Sequence, residues 1–176
     1  KLEGNALILT FEELQKQVDE LVIPQTVKHA AKNSLKPLFK RVKDVQKDLL
    51  STRNEFVVEQ ARTIAEDDEN IVVAAIQDAD KDSMMTALDV VRAAKPNGAV
   101  MLFGTTLDAR VLISAGVSKS MIELGLRAGD WVREAAKVCG GGGGGRPDTA
   151  QAGGKDPNKI PEAIDLAKSF ATEATT

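Results

Sequence analysis

Six consecutive glycines, Gly140, Gly141, Gly142, Gly143, Gly144 and Gly145, run directly into Arg146-Pro147-Asp148-Thr149-Ala150-Gln151-Ala152-Gly153-Gly154. Glycine loses more backbone freedom on folding than any other residue, so keeping six in a row ordered is expensive. A folded domain that retains such a run needs bare backbone there, with N–H groups offered to a ligand and no Cβ in the way. A flexible linker is the simpler reading of a glycine run. The flanks argue against it: a helical pattern runs up to Cys139, and a small apolar segment headed by Arg-Pro-Asp follows. The expected element is a glycine-rich loop over residues 140–145.

Of 176 residues, 43% are apolar and 28% charged, as in an ordinary soluble domain. Aromatic residues are 3% and tyrosine is missing, so the core must be built from Val, Ile, Leu, Ala and Met. The net charge of −3 excludes a chain that is basic throughout, although local basic patches remain open. Cys139 is the one cysteine, which rules out an intramolecular disulfide and fits a reducing compartment, the cytoplasm first, with an organelle left open. A nucleophilic thiol would want a histidine beside it, and His29 is far away in sequence; Cys139 reads as a small apolar residue closing a helix. No apolar run is long enough to span a membrane, and no signal peptide is visible. The chain opens on Lys1 in mid-pattern, so a piece of a larger protein is expected.

Thr10-Phe11-Glu12-Glu13 has capping-box spacing and predicts a helix over Phe11–Val22. From Pro24 to Asp67 there is no glycine, and apolar residues fall in two heptad rows: Leu35, Val42, Leu49 and Phe56, with Leu38 and Val45 beside them. This predicts one long helix, or two joined near Pro37, with a narrow seam that needs the first helix, a second copy of the chain, or both. Lys28, Lys32, Lys36 and Lys40 recur every fourth residue and share one helix face. The stripe is either a phosphate-facing surface or the solvated side of a coiled coil. The acids from Glu66 to Glu69 mark a boundary, giving a helical subdomain over 1–69 and a globular one over 70–176.

Beyond it, Ile71–Ile76, Ala99–Phe103 and Ala109–Val117 read as strands and Ser83–Ala94 as an amphipathic helix with Met84, Leu88 and Val91 inward. Turns are placed at Pro96-Asn97-Gly98 and Leu107-Asp108. A helical segment from Ser118 breaks around Gly125 and Gly129 and resumes from Trp131 to Val138. Ala150–Ala152 suits a short strand. Pro161–Ala171 suits a last helix with Ile164, Leu166, Ala167 and Phe170 on its apolar side. The fold class is α/β (α+β): a long helical arm followed by a small globular domain with a mixed β-sheet flanked by helices.

The familiar site chemistries do not fit. No Gly-Lys-[Ser/Thr] closes the glycine run as a Walker loop would, and a helix rather than a strand precedes it, unlike a dinucleotide fingerprint. One cysteine and one histidine cannot make a zinc site. Asp78, Asp80 and Asp82 alternate without the Gly and Glu of a calcium loop and read as a loop and helix N-terminus. No nucleophile, base and orienting group can be assembled, so no catalytic residue and no metal ligand is expected in this chain.

The glycine run followed by Arg-Pro-Asp-x-Ala-Gln-Ala-Gly-Gly resembles the C-terminal, DHH-associated (C-Ala) domain of alanyl-tRNA synthetases. Ser114–Gly140 and Pro161–Phe170 resemble the same family, and the upstream helices do so in pattern. The family resemblance implies an accessory domain that binds the elbow of tRNA(Ala), and a helical part that often dimerises. It further implies that aminoacylation and editing, with their ATP, magnesium and zinc, reside in upstream domains, so no cofactor is expected here. Its RNA-binding positions would be Gly140–Gly145, Arg146, Gln151 and Lys155. Bacterial members usually carry Lys where this chain has Gly142, which leaves Arg146 and Lys155 as the nearest downstream cations. Two other readings stay open: the substrate-binding domain of a DHH-type phosphoesterase, and a purely structural dimerisation module.

Overall fold

The computed structural model describes residues 25–106 and 109–176, with Glu13, Lys16–Val18, Glu20, Val22 and Pro24; the side chains of Lys32, Phe39 and Gln46 are excepted. The helix expected over 11–22 falls mostly outside the described residues, as does the turn at Leu107-Asp108. The chain divides into two compact units, Lys1–Thr52 and Arg53–Thr176.

In the first unit the glycine-free stretch forms one helix, α1 (Gln25–Ala65), which continues into the second unit. Pro24 stands just ahead of it and its carbonyl accepts from the N–H groups of Val27 (3.0 Å) and Lys28 (3.2 Å). Pro37 lies inside α1 without dividing it. Of the heptad seam, Leu35 and Val42 are half-buried, whereas Leu38, Val45, Leu49 and Phe56 are exposed.

The second unit holds a five-stranded mixed sheet in the order β1-β2-β3-β5-β4. Its strands are β1 (Ile71–Ile76), β2 (Ala99–Thr105), β3 (Val111–Val117), β4 (Gly142–Gly145) and β5 (Thr149–Gly154). β1 and β2 are parallel and are joined by α2 (Lys81–Ala94); every other pair is antiparallel. α2 starts two residues before the predicted Ser83, because Asp80 and Ser83 close a reciprocal capping box.

Alternation along the strands sends side chains to two cores. On one face, Phe103, Ile113, Ala115 and Ala150 meet Trp131, Val132 and Ala135 of α4 (Ala128–Val138) and Ala163, Ala167 and Ala171 of α5 (Ile160–Ala174). Trp131 is fully buried and its indole N–H donates to the Ala167 carbonyl at 2.8 Å. On the other face, Val72, Ile76, Val100 and Leu102 meet Met84, Leu88 and Val91 of α2, together with Val57 and Ala61 of α1. The last three turns of α1 therefore belong to the globular unit, and the contacts divide at Thr52/Arg53 rather than at the acidic run after Ala65.

Three local expectations change. The helical segment after Ser118 is the short α3 (Lys119–Glu123), and it breaks at Gly125, which has φ 115°, but not at Gly129, which lies inside α4. A Cβ at Gly129 would stand 2.9 Å from the Gly145 carbonyl oxygen, so that glycine serves close packing rather than a break. β3 begins at Val111 rather than Ala109, which has φ 55°. In α5, Leu166 is 38% exposed and the inward side is carried by alanines instead.

Candidate nucleic-acid interface

The glycine run is not a loop. Gly140 alone takes a left-handed conformation, φ 65°, to end α4. The N–H of Gly140 donates to the Lys137 carbonyl (3.1 Å) and that of Gly141 to Ala136 (2.9 Å), the paired closure of a Schellman cap. Gly142 to Gly145 then run as β4, the edge strand of the sheet, hydrogen-bonded on one side to β5. Arg146, Pro147 and Asp148 make the hairpin turn, closed by the Arg146 N–H on the Thr149 carbonyl at 2.9 Å.

The glycines alternate in what they require. A Cβ at Gly141 or Gly143 would overlap β5 backbone, and at Gly145 it would stand 2.5 Å from Ala150 Cα. A Cβ at Gly142 would meet nothing within 4 Å, and at Gly144 only the Arg133 guanidinium at 3.8 Å. Gly141, Gly143 and Gly145 thus let the hairpin close, while Gly142 and Gly144 leave open space above the strand. None of the four glycines of β4 has a positive φ.

On the α2 side the hairpin faces an open cleft of about 430 Å³ lined by Met85, Gly144, Gly145, Arg146, Asp148, Thr149, Ala150 and Gln151. A second hollow of about 310 Å³ shares Gln151 and reaches Lys81, Ser114 and Gly142. The Gln151 amide donates to Met85 Sδ at 2.6 Å and so stands between the two. Arg92 of α2 donates from its guanidinium to Thr149 Oγ1 at 3.2 Å. Arg133 of α4 pairs with Asp130 at 2.8 Å.

The predicted site residues separate into two groups. The glycines, Arg146 and Gln151 meet at the hairpin and its cleft. Arg146 and Lys155 are both exposed but lie at opposite ends of β5, about 17 Å apart by strand rise. Lys155 follows Gly154, next to Gly153, the partner of Gly142, so it is the cation nearer the Gly142 end. Of the lysine stripe, Lys36 and Lys40 are exposed, Lys28 is half-buried, and the Lys32 side chain is outside the described residues. Met85 and Lys81, which line the two hollows, and Arg92 and Arg133, which stand beside the hairpin, are absent from the sequence-based set, because no local pattern links them to the glycine run.

Cys139 is fully buried, and burial, then the charges of Asp156 and Glu162, push its thiol pKa up. That is the opposite of an activated nucleophile. Among the described residues no cluster of His, Cys, Asp or Glu is placed to hold a metal ion.

Residues 68–173 match the family model described as the DHHA1 domain. The chain belongs to the DHHA1 domain family. It is homologous to alanine–tRNA ligases: 50% identical over 95 residues to that of Bacillus subtilis (54% of this chain, 11% of the relative). It is 38% identical over 168 residues to that of Bacillus pumilus (88% and 18%), and 34% over 163 residues to the cytoplasmic alanine–tRNA ligase of Drosophila melanogaster (90% and 17%). The chain thus spans less than a fifth of the length of these relatives. The solved C-Ala domain of Aquifex aeolicus alanyl-tRNA synthetase is similar, with a TM-score of 0.52, 29% identity, and coverage of 60% of this chain and 91% of that one. RecJ of Thermus thermophilus, crystallised with Mn2+, shares the fold with a TM-score of 0.53 at 13% identity, over 75% of this chain and 19% of its own. No described helix is long and apolar enough to cross a membrane.

Proposed function

We propose that this chain is the C-terminal accessory region of a cytoplasmic alanine–tRNA ligase and that its glycine hairpin receives the elbow of tRNA(Ala). The observation that carries the reading is the edge strand β4, open above Gly142 and Gly144 and flanked by Arg146 and the Gln151 cleft. Folded RNA is recognised through shape, phosphates and stacking on exposed base faces. A strand without side chains lets a flat base pair approach the backbone, while Arg146 has no carboxylate partner among the described residues and is available to phosphate. Aminoacylation and editing belong to upstream domains of the parent chain, with ATP, magnesium and zinc; the chain described here contributes binding and no bond-making step. The exposed seam Leu38, Val45 and Leu49 is the surface through which two copies pair.

The test is a titration of labelled tRNA(Ala) against the chain at several salt concentrations. Arg146→Ala weakens binding and flattens the log–log salt slope by about one unit or less. Gly142→Lys, at a position open to any side chain, does the reverse and steepens the slope by about one unit. If both variants bind as the parent does, or the parent prefers unfolded RNA of equal length, the hairpin is not the RNA site.

A further inference from the structure

Arg92 stands behind the cleft wall, where its guanidinium donates to Thr149, a residue that lines the cleft. It is half-buried on α2, seven residues on from Met85, which itself lines the cleft. Its stem crosses Gly116 of β3: a Cβ there would stand 2.7 Å from Arg92 Nε and 3.1 Å from its Cγ. A side chain at 116 would fill the channel the arginine occupies, so a bare position in the sheet holds the stem in place. The guanidinium reaches Thr149 Oγ1, and Thr149 also accepts the N–H of Arg146 that closes the hairpin. Arg92 and Arg146 are thus tied to one residue from two sides. A guanidinium carries five N–H donors in a planar fork. Arg92 spends one on a neutral hydroxyl, and no carboxylate pairs with it among the described residues.

We infer that Arg92 is a second phosphate-binding arginine beside this cleft, braced by Gly116 and reaching past Thr149 to a backbone phosphate of the same RNA that Arg146 meets. The inference rests on the RNA reading of the hairpin. Two arginines held from different elements fix the direction of a sugar–phosphate strand, which one exposed arginine on a turn does not do. Thr149 orients the fork; it is not required for charge.

The experiment separates contact from scaffolding. With the full chain and tRNA(Ala), Arg92→Gln lowers affinity about tenfold and flattens the salt slope by up to about one unit. Arg92→Lys keeps the slope, because the charge remains. Gly116→Ala, which evicts the stem, loses affinity as Arg92→Gln does. Thr149→Val removes the hydroxyl but no charge, and so loses less affinity than Arg92→Gln does. Thermal unfolding followed by Trp131 fluorescence accompanies each variant, and Arg92→Lys supplies the charge-retaining comparison should Gly116→Ala unfold. Parental affinity and slope in Arg92→Gln overturn the inference while leaving the RNA reading intact. A loss in Thr149→Val equal to that in Arg92→Gln overturns it as well, since Arg92 would then act only by holding the turn. Absence of tRNA binding by the parent chain overturns both readings together.

Discussion

The first and last glycines of β4 should respond in opposite directions to the same added methyl. At Gly145 a Cβ would stand 2.5 Å from Ala150 Cα, 2.6 Å from the Thr149 carbonyl oxygen and 2.7 Å from Ala150 Cβ. Two of those three atoms belong to the paired strand's backbone, which cannot swing aside as a flexible side chain can. Restoring ordinary contact needs a displacement of about 1 Å between strands normally about 4.8 Å apart, which breaks the ladder or forces overpacking worth about 2 kcal/mol. At Gly142 nothing lies within 4 Å, so Gly142→Ala mainly removes freedom from the unfolded chain and stabilises by about 0.5 kcal/mol. The two variants should therefore differ by about 2.5 kcal/mol, or about 10 °C in Tm for a unit of this size. The assay is thermal and urea unfolding read by Trp131, the lone tryptophan, fully buried beside the hairpin's own core. Midpoints within about 2 °C of each other would refute the alternation. The same reasoning changes how binding is probed: a substitution at Gly143 disturbs β5 directly, so lost affinity there reports on the hairpin and not on ligand approach. Gly142 and Gly144 are the positions that test approach.

The heptad seam predicts assembly. Val42→Asp with Leu49→Asp should weaken self-association by about tenfold or more, because each carboxylate must be desolvated in the pairing surface; sedimentation should move toward the 18.8-kDa monomer, and unchanged mass in parent and variant alike would remove the seam from consideration. Cys139 predicts a pH and reactivity signature. Burial raises its pKa in the folded state, so its contribution to stability is fully present below the unfolded-chain pKa and is lost as pH climbs toward the folded value. The thiol should resist alkylation in native protein at mildly alkaline pH and react once denaturant unfolds it; equal rates in both conditions would contradict the burial.

The helices and strands were legible because their cause is local. The glycine-free stretch of α1, the apolar run Ile71–Ile76 and the inward set Met84, Leu88 and Val91 each state their element within a few residues, and the structure forms that helix, that strand and that buried face, while the heptad positions Leu38, Val45, Leu49 and Phe56 stay exposed. The resemblance carried by Arg146–Gly154 pointed to the family for a different reason, namely that a rare string of residues is specific. What escaped was non-local. A run of glycines offers no period and no propensity that separates a loop from a strand, so β4 becomes visible only when β5 lies beside it and Gly141, Gly143 and Gly145 are seen to need the space. Gly129 looked like a helix break because its reason for being glycine, the carbonyl of Gly145, is sixteen residues away. The acidic run marks the end of α1 and the start of the family domain, while the inward turn of Val57 and Ala61 onto the α2 core is set by contacts that no local charge pattern states. Arg92 was hidden for the same reason: its slot is a missing side chain on β3 and its target is a threonine on β5, and no spacing in the sequence connects those three positions. A side chain placed this way is written in the pairing of the sheet, so the glycines worth asking about are those whose absent Cβ makes room for someone else's side chain.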